Sequence, residues 1–269
     1  GAQEDLDILK KSGIQWPVIQ HGEGLIAYLQ KDFNKAQAKF DQVLSKFPNY
    51  TPSQLLLGLS HYQKGNYQNS LSLLEQYLAV SPMQYQASIT VAAANLKIGD
   101  SSKAVEILEK LNTNSPGDFR VLSLLGSAYV ASNNINKGIA ILNEAVKLKP
   151  EEAKVRLQLG AALIRSEDQK EQGQQEFISA IELDPELQQA ELLLFSSYIK
   201  ESKYDKARAL ANAIETKKSD SSMGANLNAL IYLAQEKPEK AVTVLEQALK
   251  QFPADPLTTG NLARIYMNN

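Results

Sequence analysis

Apolar residues along this chain recur at helical spacing, in helix-length stretches separated by short polar breaks rich in Gly, Asn and Asp. The stretch Gly126–Pro150 (GSAYVASNNINKGIAILNEAVKLKP) shows the pattern best. Gly126, Tyr129, Gly138, Leu142, Ala145 and Pro150 stand at offsets 0, 3, 12, 16, 19 and 24. The same offsets return along the chain. The closing residues Pro48, Pro82, Pro116, Pro150, Pro185, Ser219 and Pro253 are spaced 34, 34, 34, 35, 34 and 34. The single gap of 35 predicts one extra residue in a turn at Arg165–Gln169. A fixed period of this length predicts a tandem array of helix–turn–helix units, each packed on its neighbours.

Each unit is numbered 1 to 34, with the closing Pro at 32. Position 8 then reads Gly24, Gly58, Ala92, Gly126, Gly160, Phe195, Ala229 and Ala263. Position 20 reads Ala36, Ser70, Ala104, Gly138, Gly173, Ala207 and Ala241. Small residues at two fixed places predict that the helices of a unit (A, then B) cross where these positions meet. A large side chain there would push the axes apart, so Phe195 predicts a locally altered crossing. Positions 24 (Phe40, Leu74, Leu108, Leu142, Phe177, Ala211, Leu245) and 27 lie three apart on one face of helix B and predict the seam between units. Lys64-Gly65-Asn66 and Ile98-Gly99-Asp100 read as turns between A and B helices. Thr51–Pro52 and Asp255–Pro256 read as N-caps followed by Pro at the first helical position.

The 34-residue period, the small residues at positions 8 and 20 and the terminal Pro resemble the tetratricopeptide repeat (TPR) family over almost the whole length. The resemblance implies an all-α fold, a right-handed TPR superhelix (α-solenoid) of antiparallel helix pairs. Residues 1–16 read as the tail of a preceding repeat helix and a linker. Residues 17–255 read as seven units opening near 17, 51, 85, 119, 153, 188 and 222, and 256–269 as the first helix of an eighth. The half-units at both ends read as a segment of a longer array.

Composition narrows the chemistry. The chain has 269 residues, 28 Lys and Arg against 30 Asp and Glu, a net charge of −2, and no Cys. A nucleic-acid footprint would need a basic face, so no nucleic-acid partner is predicted. Disulfides and thiolate chemistry are excluded. No apolar run reaches the ~18 residues of a membrane span, so direct membrane insertion is not predicted. The only histidines, His21 and His61, occupy different repeat positions and do not make a ligand pair. No glycine-rich phosphate loop or nucleophile elbow is present. No catalytic residue, cofactor or metal is therefore predicted.

The TPR resemblance implies a partner groove lined by positions 2, 5, 9, 12 and 13 of the A helices. The candidates are Val18, His21, Leu25 and Tyr28 in the first unit and Pro52, Leu55, Leu59 and Tyr62 in the second. Gln86, Ile89, Arg120 and Lys154 follow in the next three. An apolar strip of this kind suits a protein or peptide partner. Spacing alone leaves a second reading open, in which Leu25, Leu55 and Leu59 pack between adjacent A helices. The Lys and Asn that grip a C-terminal carboxylate in chaperone-binding TPR domains are absent, since those positions hold His21, Leu25, Leu55, Leu59, Ile89 and Ala93. The Asn ladder of sugar-transferring enzymes is absent too.

Residues 47–82, 213–253 and 261–269 (NLARIYMNN) are similar to internal repeats of the TPR lipoproteins of PEP-CTERM/exosortase systems, the PrsT type. That resemblance implies a periplasmic location or the periplasmic face of the outer membrane, and a scaffold role in exopolysaccharide production, export or protein sorting. The Cys that would anchor such a lipoprotein is not in these residues. The alternatives are a cytoplasmic peptide-binding adaptor and a regulatory arm of a larger enzyme.

Overall fold

The computed structural model describes residues 16–82 and 84–268. Among the described residues there are fifteen α-helices, one 3-10 turn and no strand. The chain divides into two compact units, Gly1–Pro150 and Glu151–Asn269. The expected helix tail over residues 1–16 lies outside the described residues except for Trp16.

The first unit contains α1 (Trp16–Leu29), α2 (Phe33–Lys46), α3 (Thr51–Gln63), α4 (Tyr67–Val80), α5 (Tyr85–Ile98), α6 (Ser101–Asn114), α7 (Phe119–Ala131) and α8 (Ile135–Leu148). The second contains α9 (Ala153–Ile164), the 3-10 turn Glu167–Gln169, α10 (Lys170–Leu183), α11 (Gln188–Lys200), α12 (Tyr204–Lys217), α13 (Met223–Ala234), α14 (Pro238–Gln251) and α15 (Pro256–Asn268). Odd-numbered helices are A helices and even-numbered ones are B helices. Each packs mainly on the helices before and after it in its unit.

Local chemistry sets many helix ends. Asp32, Asp100, Asp118 and Asp255 cap α2, α6, α7 and α15, accepting from Lys35 N at 3.1 Å, Lys103 N at 3.1 Å, Arg120 N at 2.9 Å and Thr258 N at 2.7 Å. The cap expected at Thr51 lies one residue earlier. Tyr50 precedes α3, and Pro52 sits within its first turn. Six A-to-B turns carry one left-handed residue at position 15: Lys31, Gly65, Gly99, Asn133, Ser202 and Glu236, with φ from 55° to 89°. In the remaining turn, between α9 and α10, the extra residue goes into the 3-10 segment instead.

The core is a series of clusters between neighbouring helices, the one in the second compact unit running from α9 to α13. Positions 20, 24 and 27 of every B helix are buried, for example Ala36, Phe40 and Val43 in α2 or Gly173, Phe177 and Ala180 in α10. The side chain at position 24 lies against position 8 of the A helix. A Cβ added to Gly24 would come within 2.5 Å of the Phe40 ring, one on Gly126 within 2.5 Å of Leu142, and one on Gly160 within 2.7 Å of Phe177. Full burial of such a Phe or Leu stabilises by about 2 kcal/mol. Where glycines stand at both positions the backbones meet. A Cβ on Gly138 would reach Gly126 O at 2.8 Å, and one on Gly173 would reach Gly160 O at 2.9 Å.

The extent of A–B packing follows the size of the residue at position 8. It is greatest for α7/α8 and α9/α10, where glycine faces glycine, and smaller for α1/α2 and α3/α4, where glycine faces Ala36 or Ser70. It falls further in α5/α6 and α13/α14, which carry Ala92 and Ala229, and is least in α11/α12, which carries Phe195.

Candidate functional site

The A helices turn one face to the core and another to solvent, and the residues expected to line the groove divide between the two. On α1, Val18, Leu25 and Leu29 form an exposed stripe at i, i+7 and i+11, with 41%, 36% and 70% of their surfaces accessible. His21 lies beside that stripe but is half-buried. Its Nδ1 is 2.9 Å from Ser53 Oγ, and its ring sits 5.7 Å from Phe40 and 5.6 Å from Tyr50. Burial lowers the His21 pKa, so the imidazole is a neutral element of the α1–α3 seam. Tyr28 packs edge-on to Phe33 at 5.6 Å, and burial raises its phenol pKa.

On α3 most of the strip is buried or partly buried. Leu59 is only 7% exposed and belongs to the cluster joining α3, α4 and α5. Leu55 and Tyr62 are partly buried against the same cluster, and Tyr62 meets Tyr67 at 5.5 Å. Pro52 is exposed. On α5, Gln86 is exposed with its amide 3.5 Å from Thr90 Oγ1, whereas Ile89 is partly buried.

Arg120 is exposed but engaged. Its Nε and Nη2 donate to Asp118 at 3.2 and 3.1 Å, and its guanidinium lies 5.2 Å from the Tyr85 ring centre. Tyr85 donates to the same carboxylate at 2.7 Å. Burial and this hydrogen bond push the Tyr85 pKa up to about 12. Burial works against the Asp118 carboxylate, but donation from Arg120 and Tyr85 outweighs it and holds its pKa below the usual range. The trio ties α5 to the start of α7.

In the second unit Lys154 is exposed on α9. Leu192, Leu230 and Leu257 are exposed on α11, α13 and α15 at 39%, 36% and 52%. One turn from Leu230 a polar ladder joins α13 to α15, unforeseen from the repeat pattern. Buried Asn226 donates to Thr258 Oγ1 at 2.7 Å, Asn261 donates to Asn226 Oδ1 at 2.7 Å, and Arg264 donates to Asn261 Oδ1 at 2.7 Å. A second network joins buried Gln174 to Ser197 at 2.8 Å and to Glu201 at 3.0 Å, and Lys203 pairs with Glu201 at 2.6 Å. These networks fix helix orientation, because a buried amide left unpaired is costly.

Two depressions lie where two B helices meet the A helix between them. One of about 430 Å³ between α4 and α6 is apolar, lined by Leu78, Pro82, Ile107 and Leu111. The other, of about 360 Å³, is polar and lies among α12, α13 and α14. Neither was anticipated from the sequence. Position 25 carries an acid in four units (Asp41, Glu75, Glu109, Glu246) but Asn at both Asn143 and Asn212, so it does not single out the second depression.

The sequence matches the family described as "Psidin, N-terminal TPR repeats region" over residues 59–183. It matches tetratricopeptide repeat families over residues 21–69 and 229–265. The chain is built of tetratricopeptide repeats. Solved TPR structures agree in fold. A TPR protein from Parabacteroides merdae ATCC 43184 is 16% identical with a TM-score of 0.68, over 98% of this chain and 99% of that one. MamA from Desulfovibrio magneticus RS-1 is 24% identical with a TM-score of 0.57, over 64% of this chain and 96% of that one. YrrB, described as a TPR protein with an unusual peptide-binding site, is 12% identical with a TM-score of 0.56, over 71% of this chain and 97% of that one. No curated protein sequence matches the chain significantly.

TPR arrays are generally non-catalytic scaffolds for protein interaction. Among the described residues no group of three or more His, Cys, Asp or Glu is placed to hold a metal ion, and no helix is long and apolar enough to cross a membrane. What the A helices offer is exposed apolar side chains: Val18, Leu25 and Leu29 on α1 in the first compact unit, and Leu192, Leu230 and Leu257 on α11, α13 and α15 in the second.

Proposed function

We propose that the chain is a non-catalytic scaffold that holds partner proteins on the exposed faces of its A helices. It is read as seven TPR units over 17–255 and the first helix of an eighth over 256–269. One observation carries the reading. Of the thirteen large hydrophobic residues exposed among the described residues, seven occupy A-helix positions 2, 5, 9, 12 or 13: Val18, Leu25 and Leu29 in the first compact unit, and Leu192, Leu230, Leu257 and Met267 in the second. Exposed apolar surface gathered at a few repeat positions marks an interaction face. The unusual peptide-binding site named for the similar fold of YrrB fits this direction.

The finer reading rests on resemblance. The likeness of residues 47–82, 213–253 and 261–269 to PEP-CTERM-system TPR lipoproteins supports a bacterial cell-envelope scaffold, periplasmic, serving exopolysaccharide production, export or sorting. The test is capture from a periplasmic fraction with the wild-type chain and with Leu25→Asp plus Leu29→Asp. Both leucines already face solvent, so the double variant is expected to unfold at the wild-type temperature. Recovery of envelope proteins is expected to fall at least tenfold. Undiminished recovery by the folded variant would remove this face from the binding site. Partners drawn only from the cytosol would favour the adaptor reading.

A further inference from the structure

The polar groove among α12, α13 and α14 lies away from the A-helix face. On α13, Asn228 and Tyr232 point into it, while Asn226 and Leu230 belong to the opposite stripe. One wall is α12, with Arg208, Asn212 and Glu215 at i, i+4 and i+7. The other is α14, with Gln247 and Gln251 at i and i+4. Gly224 lets α13 lie directly on α12, since a Cβ there would come within 2.3 Å of Glu215 Cβ.

The groove departs from what two other seams do with the same positions. Tyr129 donates to Glu109, and Tyr266 donates to Glu246 at 2.9 Å, each closing its seam with a hydroxyl–carboxylate bond. Here the place of the acid is taken by Asn212, whose Oδ1 accepts from Asn228 Nδ2 at 3.1 Å. The Arg208 guanidinium lies 4.7 Å from the Tyr232 ring centre. Asn228 is 9% exposed, and its Oδ1 is buried with no hydrogen-bond partner. A buried acceptor left open at the floor of a polar groove is placed for a donor that arrives from outside.

The lining chemistry points to the donor. Arg208 and Glu215 cancel in formal charge, and the other polar groups are mainly carboxamides. A carboxamide complements a peptide group in both directions, its oxygen accepting from N–H and its NH₂ donating to C=O. Residues at i and i+4 on a helix are ~6 Å apart along its axis. Peptide groups facing one side of an extended chain recur every two residues, ~6.8 Å. Arg208 with Asn212, and Gln247 with Gln251, therefore offer nearly the repeat that an extended main chain presents.

We infer that this groove binds an extended peptide segment through its main chain, with Asn228 Oδ1 accepting one of the peptide N–H groups. The inference goes beyond the A-helix reading and does not depend on it. Acetyl-(Gly-Ala)₃-amide, which carries little but main chain, is titrated into the full chain with side-chain amide NMR signals as the readout. Millimolar binding that shifts the Asn212, Asn228 and Gln247 amides is expected, weakened at least tenfold in Asn228→Leu. That change removes an unsatisfied buried acceptor together with the Asn228 Nδ2 donor, and exposed Asn212 can exchange the lost bond for water, so the melting temperature is expected to equal or exceed wild type. The Leu25→Asp plus Leu29→Asp variant is expected to titrate as wild type does. The inference is overturned if these amides do not shift, if Asn228→Leu binds equally well, or if its melting temperature drops, which would make Asn228 a structural strut. Shifts produced by maltotriose and not by the peptide would also overturn it, in favour of a carbohydrate site.

Discussion

Helices α9/α10 and α11/α12 are neighbouring A–B pairs in one compact unit, yet they are held together differently. In the first pair Gly160 and Gly173 bring the backbones together, and Phe177 from helix B covers Gly160. In the second, position 8 holds Phe195, position 24 shrinks to Ala211, and the pair packs least of all. Phe195 is nevertheless only 4% exposed and shares a cluster with Ala207, Ala211, Ile214 and Phe177. The large ring has moved from helix B to helix A, with a small residue opposite it in each case. The pattern therefore constrains the sum of the two facing side chains more than either one alone, as a close-packed interior requires.

That comparison breaks most readily at Phe195. If the ring is the filler of its pair, Phe195→Gly leaves a cavity in place of a restored consensus. Stability is then expected to fall by about 4 kcal/mol, from the lost aromatic and the added helical glycine. Urea unfolding with hydrogen exchange of the α11 and α12 amides measures it, and a neutral or stabilised variant would mean that Phe195 is a wedge. A smaller effect is expected from Gly160→Ala. The new methyl group would lie 2.7 Å from the Phe177 ring and 2.9 Å from the backbone oxygen of Gly173. The clash outweighs the better helix propensity of Ala, for a net loss of about 1–2 kcal/mol. The smallest effect has the opposite sign. Gly260 in α15 has nothing within 4 Å of a built Cβ, so Gly260→Ala is expected to stabilise by about 0.8 kcal/mol in the same assay. Equal responses at Gly160 and Gly260 would show that close approach is not what glycine provides at position 8.

Much of this architecture was legible in the chain. The helix-pair fold follows from apolar spacing and from small residues at two fixed positions, because both report on contacts inside one short hairpin. The extra residue was placed in Arg165–Gln169, where the 3-10 turn lies, because neither helix could absorb it without losing register. The candidate site was less legible. Leu25 and Leu59 share repeat position 9, yet one is 36% exposed and the other 7%. Their burial depends on what the adjacent A helices place over them, and no single unit's sequence carries that. The same holds for Asn212 and Asn228, whose pairing joins residues from two units. Arg120 read simply as a groove position, because its capture by Asp118 and Tyr85 requires α5 and α7 to be assembled.

The left-handed residue of the A-to-B turns costs about 1 kcal/mol wherever it is not glycine, as at Lys31, Ser202 and Glu236. The turn between α9 and α10 avoids that cost by spending one more residue on a 3-10 segment, while Gly160 and Gly173 still meet. Chain length and helix register are thereby uncoupled at this corner. It is the place in the second compact unit where an epitope, a protease site or a new pair of termini is best tolerated, and where a repeat gene can gain or lose a codon without dislodging the helices on either side.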